Sequence, residues 1–470
     1  MKKTIVVLIG FLAFFACKTE EKTATKTIAP ISNRVLETAV IYEANIRQYS
    51  KEGTFDAFTK DIPQLKELGV KIIWMMPIFP ISETKRKATG GDFASKIEDS
   101  NERAKALGSY YAVSDFKKIN PEFGTIEDFR KLVKAAHDNG MYVILDWVPN
   151  HTGWDHTWLK TNPEFYTKNA KGEITDPLNE DGEPVGWADV ADLNYDNNGL
   201  RAEMINDMLY WLQHEQVDGF RCDVAGSVPT NFWQEAIPKL RAQKDIFMLA
   251  EAWEPELLKE NLFDMAYGWD RHHTLNELAK GVDAPSKWDE NYAKDTARYE
   301  ANDILMTFVT NHDENSWNGT VKERMGDASE VLTVLSYVAP GMPLIYSGQE
   351  YGLNHRLKFF EKDVIPHTKG EEWGLLNALG DLKRTNSALH GGKNAAEYIR
   401  LNTNKEILAF VRKKGSDEVV FVANLSKEPT KAVCGVEGTY VDYVTGEKIK
   451  LSNTKPLNFG AWGYKVFVKE

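Results

Sequence analysis

The alternation of short apolar strand patterns with amphipathic helix patterns, which begins at residue 40, constrains the fold of this chain most strongly. Residues 55–68 are a candidate amphipathic helix, residues 126–139 and 200–215 have helical apolar spacing, and such alternation with strands is typical of repeated βα units. Eight units favour a closed (β/α)8 TIM barrel over an open doubly wound sheet. No glycine-rich phosphate loop follows the first strand, so a dinucleotide-binding fold lacks its fingerprint. The eight strand patterns are at 40–42, 71–76, 142–146, 220–223, 247–251, 265–267, 306–311 and 344–346.

Two insertions and a change of pattern divide the chain further. Residues 83–108 are charged and turn-rich, and after the second strand they are expected at the rim of an active site. Residues 147–198 are rich in Asp, Asn, Gly and Trp, which predicts a small subdomain inserted after the third strand. Short alternating strands follow residue 388. We therefore predict a catalytic barrel at 38–388 and a C-terminal all-β sandwich at 389–470.

The first residues have the pattern of an export signal. Lys2 and Lys3 precede a short apolar run, and Cys17 follows a small residue. The sequence FFAC resembles the lipobox of bacterial lipoproteins, in which the cysteine is lipidated; an ordinary signal peptide is the alternative. Residues 1–17 are thus a predicted lipoprotein signal peptide and residues 18–37 a predicted flexible linker. The expectation is an exported protein, lipid-anchored to the outer membrane of a Gram-negative bacterium, on its periplasmic face or at the cell surface.

The net charge limits the possible binding partners, and the cysteine content limits the possible disulfides. The net charge of −12 argues against nucleic acid as a partner, because phosphate binding needs clustered Lys and Arg. Cys222 and Cys434 fall in different predicted domains, so a structural disulfide is not expected. Cys222 should point away from the site that its neighbours face and act as a small buried apolar residue.

Four acids, Asp146, Asp223, Glu251 and Asp313, lie at or just after strand patterns. Hydrolysis of a glycosidic bond needs one carboxyl group to protonate the leaving oxygen and another to attack or support the oxocarbenium-like centre. Arg221 shares a strand face with Asp223 and should keep that carboxylate ionised, as a nucleophile requires. Glu251 ends an apolar strand, where desolvation would raise its pKa and suit a general acid. Any single Asp here could instead be a helix cap or a loop hydrogen-bond partner.

Four segments carry a family resemblance: LDWVPNH at 145–151, GFRCD at 219–223, EAW at 251–253 and TNHD at 310–313. In order and flanking residues they resemble the conserved regions of glycoside hydrolase family 13, the α-amylase family. KIIWMMPIFP at 71–80, YAVSDF at 111–116 and VADLN at 190–194 extend the match. The resemblance covers about residue 40 to the C-terminus.

The resemblance implies a retaining enzyme that forms a covalent glucosyl intermediate. It implies that Asp223 is the nucleophile, Glu251 the acid/base and Asp313 the transition-state stabiliser. The residues implied to bind the reacting glucose are Tyr111, Asp146, His151, Arg221 and His312. Asn150 and Asp192 resemble ligands of a structural calcium ion found in many members, the only cofactor expected. The chain departs from typical α-amylases at Gly226 and Ser227, where the family has Lys and His on the leaving-group side.

The leading hypothesis is therefore a hydrolase of α-1,4-glucosidic bonds in starch-like glucans or maltooligosaccharides. A transglycosylase or isomerase of the same family is the main alternative. A non-catalytic glucan-binding lipoprotein is a remote one, because it predicts a missing carboxylate and all three are present. Expected partners are the glucan, a membrane through the lipid anchor, and glucan-uptake proteins at the cell surface.

Overall fold

The computed structural model describes residues 28–179 and 181–470, and its centre is a closed barrel of eight parallel strands. Each barrel strand pairs with its neighbours in sequence, and the last pairs with the first, as a (β/α)8 barrel requires. The predicted fold class is confirmed, and all eight strand patterns form strands. The barrel strands are β1 (Val40–Ala44), β2 (Val70–Met75), β3 (Tyr142–Trp147), β4 (Gly219–Cys222), β5 (Phe247–Ala250), β6 (Met265–Tyr267), β7 (Ile304–Thr307) and β8 (Met342–Tyr346).

Helices surround the barrel and bury one face against it. The helix Ile126–Asp138 begins at a capping box formed by Thr125 and Asp128 and buries Phe129, Leu132, Val133 and Ala136. The predicted helix at 55–68 is instead two short helices, with Pro63 in the first turn of the second. The helices are Asn33–Thr38, Ile46–Tyr49, Phe55–Thr59, Ile62–Leu65, Ser100–Lys105, Ile126–Asp138, Thr157–Thr161, Asn198–His214, Thr230–Arg241, Trp269–Leu278, Ala284–Arg298, Val321–Met325, Ser329–Val338 and Glu371–Thr385. None of the helices in the described part of the chain is long and apolar enough to cross a membrane.

Alternate residues of each barrel strand face the barrel interior and the surrounding layer of helices. Ile72 and Trp74 of β2 and Phe247 and Leu249 of β5 belong to the cluster that fills the barrel. Their sequence neighbours pack outward against the helices, and so does Cys222, which is buried and free. Residues of the inner set at the carboxyl ends of the strands therefore point into the mouth of the barrel.

Two smaller units complete the chain. The strands His151–Gly153 and Val190–Asp192 pair antiparallel within the insertion after β3. The C-terminal six-stranded antiparallel sheet consists of Glu397–Arg400, Ile407–Lys414, Asp417–Asn424, Gly438–Asp442, Lys448–Leu451 and Tyr464–Lys469. A second pair of strands, Thr430–Ala432 and Leu457–Phe459, shares an apolar cluster with this sheet.

The predicted linker at 18–37 is too long at its C-terminal end. Residues Asn33–Thr38 form a helix, and Ile31 packs into the apolar cluster of the barrel interior. The backbone carbonyl of Ala29 also accepts a hydrogen bond from the Tyr142 hydroxyl, so this stretch covers the amino-terminal end of the barrel. The predicted signal peptide, Cys17 and linker residues 18–27 lie outside the described residues.

Candidate active site

A pocket of about 380 Å³ opens at the carboxyl ends of the barrel strands. Asp223, Glu251 and Asp313 line it together with Tyr111, His151 and His312. A larger cavity of about 610 Å³ lies between the helices that follow β7 and β8, but none of the three acids reaches it. The smaller pocket is therefore the candidate site.

Arg221 organises the floor of this pocket. Its Nη1 atom donates hydrogen bonds to Asp146 Oδ1 at 2.8 Å and to Asp223 Oδ1 at 2.9 Å. Its Nη2 atom forms an ion pair with Glu251 Oε2 at 2.7 Å. The guanidinium group is fully buried, so one cation holds three carboxylates in a region that excludes water.

Burial raises the pKa values of these carboxyl groups, and Arg221 opposes that rise. The pKa of Asp223 increases to about 6 and that of Asp146 to about 6. The pKa of Glu251 increases to about 7, with burial again the largest cause and Arg221 opposing it. Glu251 thus retains its proton to higher pH than Asp223, the order that an acid paired with a nucleophile requires.

The turn after β4 joins the nucleophile candidate to the acid candidate. Val224 adopts a left-handed backbone conformation, with φ of 37°, and its N–H donates to Glu251 Oε2 at 2.9 Å. A β-branched residue in this region of φ and ψ is strained. The strained turn aims a backbone donor at the carboxyl group that we expect to transfer the proton.

A hydrogen-bonded chain runs across the pocket from Asp146 to His312. The Tyr111 hydroxyl donates to Asp146 Oδ2 at 3.0 Å and lies 2.8 Å from His312 Nε2. Nε2 is also 3.3 Å from the Asp313 carboxylate, which is partly exposed. On the other side of the pocket His151 is buried, and burial lowers its pKa to about 3, so it is neutral and can both donate to and accept from a sugar hydroxyl.

The sequence interpretation missed three buried residues that support this chain. Glu43, at the end of β1, lies 2.5 Å from His312 Nδ1, and Trp74 Nε1 donates to Asp146 Oδ2 at 3.0 Å. The Tyr267 hydroxyl accepts a hydrogen bond from Arg221 Nε at 3.2 Å. Glu43 is the only acid in the apolar stretch VIYEA, and that pattern could have identified it. The sequence around Trp74 and Tyr267 is typical of ordinary core residues and gave no such indication.

The two predicted calcium ligands lie beside each other at the base of the inserted subdomain. The backbone N–H of Leu193 donates to the carbonyl of Asn150, and burial raises the pKa of Asp192 to about 6. A partly buried acid and nearby carbonyl oxygens have the oxygen chemistry that calcium prefers. Within residues 28–179 and 181–470, however, no group of three or more His, Cys, Asp or Glu side chains could hold a metal ion. Calcium binding at Asn150 and Asp192 stays a prediction.

Fold and site define a (β/α)8 barrel with an acid cluster at the carboxyl ends of its strands, the usual place of catalysis in such barrels. The family model described as the α-amylase catalytic domain matches residues 21–177 and 184–418. The chain therefore belongs to the α-amylase family, glycoside hydrolase family 13.

Similar proteins include both hydrolases and transferases. The α-amylase MalA of Haloarcula japonica is 26% identical over 87% of this chain, which spans 59% of that relative's length. The 4-alpha-glucanotransferase of Thermotoga neapolitana is 28% identical over 66% of this chain and 71% of its own length. A maltogenic α-amylase, AmyB of Thermotoga neapolitana, has a solved structure that superposes with a TM-score of 0.79 and 26% identity, covering 92% of this chain and 99% of AmyB.

Proposed function

We propose that this chain is a retaining hydrolase that cleaves α-1,4-glucosidic bonds of starch-like glucans or maltooligosaccharides. The observation that carries the proposal is the contact of one buried guanidinium group, Arg221, with Asp146, Asp223 and Glu251. Because Asp223 and Glu251 touch the same cation, their carboxyl groups lie close together. Retaining enzymes need such closeness, since their two carboxyl groups are only about 5–5.5 Å apart.

In the first step Asp223 attacks the anomeric carbon while Glu251 gives its proton to the glycosidic oxygen. The leaving sugar departs with that proton, and the glucosyl unit remains as an ester on Asp223. In the second step the Glu251 carboxylate takes a proton from water, the water oxygen attacks the anomeric carbon, and Asp223 is released. Asp313 and His312 hold sugar hydroxyls as the ring flattens, so their contacts are strongest in the transition state.

Substitution of the two carboxylates tests the proposal. Asp223→Asn and Glu251→Gln should each lower kcat on maltoheptaose by more than about a thousandfold while the thermal unfolding midpoint changes little. Glu350→Gln is a control for the loss of a buried carboxylate, because Glu350 is fully buried but accepts hydrogen bonds from Tyr42 and Gly348 outside the pocket. Near-normal turnover by either active-site variant in folded form would refute the assigned roles.

Transfer to another sugar is the second candidate function, and two observations support it. Similar proteins include a 4-alpha-glucanotransferase and a cyclomaltodextrin glucanotransferase. Gly226 also departs from the family pattern on the leaving-group side. Products from maltoheptaose separate the two: new reducing ends without longer oligomers support hydrolysis, whereas oligomers longer than seven glucose units support transfer.

We also propose that Cys17 carries a lipid and anchors the exported enzyme to the outer membrane. The proposal rests on the basic start, the apolar run and the FFAC sequence. Radiolabelled palmitate should enter the full-length protein, and Cys17→Ala should abolish the labelling. Equal labelling of both forms would exclude this attachment site.

A further inference from the structure

Three segments join into a continuous barrier on one side of the pocket, which we call the wall: residues 83–109 after β2, residues 147–179 and 181–198 after β3, and residues 357–361 after β8. In the barrel the strands β8, β1, β2 and β3 are consecutive neighbours. The wall therefore covers one continuous arc of the barrel mouth. Glu251 follows β5, on the opposite arc.

The first join of the wall links residues 83–109 to the inserted subdomain. Lys87 Nζ lies 2.9 Å from Asp189 Oδ1, and both side chains line the pocket. Asp155 Oδ2 accepts hydrogen bonds from the backbone N–H groups of Glu83 at 2.7 Å and Thr84 at 3.1 Å. The Asp189 side chain is only 7% exposed and that of Lys87 20%, so this ion pair is not a loose surface contact.

The second join links residues 83–109 to residues 357–361. The backbone N–H of Leu107 donates to the Phe360 carbonyl at 2.7 Å. The buried Arg47 donates from one nitrogen to the carbonyls of Gly108 at 3.1 Å and Phe359 at 3.3 Å. A buried side chain thus fixes both segments at the same point, and the rings of Phe359 and Phe360 continue the pocket lining.

The opposite arc carries the acid Glu251 and an exposed aromatic residue close to it. Trp253, two residues after Glu251, is 40% exposed on this arc, whereas Trp317, after β7 and 50% exposed, packs against the Phe359 ring of the wall. The acid protonates the oxygen of the leaving sugar, so that sugar must lie beside Glu251. The other end of the substrate, the non-reducing end, then points towards Tyr111 and the wall.

We propose that the wall, closed by the Lys87–Asp189 ion pair, restricts this enzyme to the non-reducing ends of α-glucan chains, from which it releases short sugars. The inference rests on the proposed hydrolytic function and deepens it by naming the position of cleavage. A chain that continued past the non-reducing side would collide with the wall. A terminal glucose has free hydroxyl groups there, which the Lys87 ammonium and the Asp189 carboxylate can bind. A pocket of about 380 Å³ is near the small end of ligand sites, which range from about 300 to 1,000 Å³.

Two p-nitrophenyl maltoheptaosides test this inference, one with a free non-reducing end and one with that end blocked by a 4,6-O-ethylidene group. The wild-type enzyme should release glucose or maltose from the free substrate and cleave the blocked one more than about tenfold more slowly. Equal rates with cleavage in the middle of both chains would overturn the inference while leaving the hydrolytic function intact. Failure to cleave either substrate would instead overturn the proposed function, and this inference with it.

A double variant tests the ion pair itself. Lys87→Ala with Asp189→Ala should raise the rate on the blocked substrate relative to the free one by about tenfold or more. Lys96→Ala, which removes an exposed lysine paired with Asp92 in the same segment, should leave that ratio unchanged. A folded double variant that still excludes the blocked chain would refute the role of the pair.

Discussion

Replacement of Glu43 by Gln should remove a pH-dependent part of the stability of this enzyme. Glu43 Oε1 lies 2.5 Å from His312 Nδ1, and both side chains are buried. The Tyr111 hydroxyl gives its only proton to Asp146, so the Nε2 atom of His312 must donate to the tyrosine oxygen. With Glu43 ionised, Nδ1 also carries a proton, and His312 is a buried imidazolium.

The size of the effect follows from the pKa of His312. Burial lowers this pKa, but Asp313 and Glu43 together outweigh burial and raise it from 6.5 to about 9. At about 1.4 kcal/mol per pKa unit, the difference corresponds to about 3 kcal/mol. Because the folded-state pKa is the higher one, this stability is fully present below pH 6.5 and is lost as pH rises through about 9.

Asp313 remains in the Glu43→Gln variant, so only part of that stability disappears. Burial also raises the pKa of Glu43, which offsets part of the gain from the pair. We therefore expect the variant to be less stable than the wild type by about 1–2 kcal/mol below pH 6.5, with the difference shrinking above pH 9.

Thermal unfolding at a series of pH values from 6 to 9.5 measures this difference between the two proteins. Glu350→Gln serves as the control, because Glu350 is equally buried but its Oε1 accepts from the Tyr42 hydroxyl rather than from an imidazole. Its difference from the wild type should not follow the titration of His312. If the Glu43→Gln difference were constant with pH, or grew towards alkaline pH, the ion pair could not be the cause.

Three further predictions concern the proposed catalytic groups and the barrel. The proposed mechanism needs an ionised Asp223, with a pKa of about 6, and a protonated Glu251, with a pKa of about 7. The value of kcat/KM should therefore rise with pH through about 6 and fall through about 7, and a flat profile from pH 5 to 8 would contradict this. Arg221→Lys should lower kcat/KM by about a hundredfold or more, because an ammonium group cannot contact three carboxylates as the guanidinium does. The control Arg298→Lys, in an exposed ion pair, should leave kcat/KM nearly unchanged. Gly219→Ala places a Cβ 1.9 Å from the Phe247 carbonyl oxygen and should lower the free energy of unfolding by about 2–4 kcal/mol, measured by thermal unfolding. Gly374→Ala lies in a helix with open space around it and should leave the free energy of unfolding unchanged or raise it.

The sequence was informative wherever a local pattern determines the structure. Strand and helix patterns depend on periods of 2 and 3.6 residues, so the eight barrel strands and the helix at 126–138 could be predicted. The same alternation placed Arg221 and Asp223 on the inner face and Cys222 on the outer one. The helix pattern at 55–68 misled because Pro63, which interrupts it, is also a favoured residue in the first turn of a new helix.

Contacts between distant parts of the chain could not be predicted. Glu43 and His312 are separated by 269 residues, and only closure of the barrel between β1 and β8 brings the strand ends together. The wall also depends on contacts between distant parts of the chain. Lys87 and Asp189 lie in two insertions whose composition indicates loops but does not show that the two loops pair. Sequence patterns give the direction of a side chain along its own strand, and its partner depends on the closed fold.

The structure explains why the chain has glycine at position 226, where the family pattern has a larger side chain. The sequence alone did not give this explanation. A Cβ at this position would lie 2.5 Å from Glu254 Oε2, so the carboxylate of Glu254 occupies the space into which a larger side chain would project. Glu254 also accepts a hydrogen bond from the backbone N–H of the exposed Trp253 at 2.9 Å, which holds this carboxylate close to the Trp253 backbone. In the proposed mechanism the segment after β5 therefore contributes a ring and an acid on the leaving-group side, where the family pattern has cationic and imidazole side chains after β4. In the proposed exo-acting enzyme the wall leaves this side open, so substitution of Trp253 and Glu254 is expected to change the discrimination among long chains, short oligosaccharides and acceptor sugars.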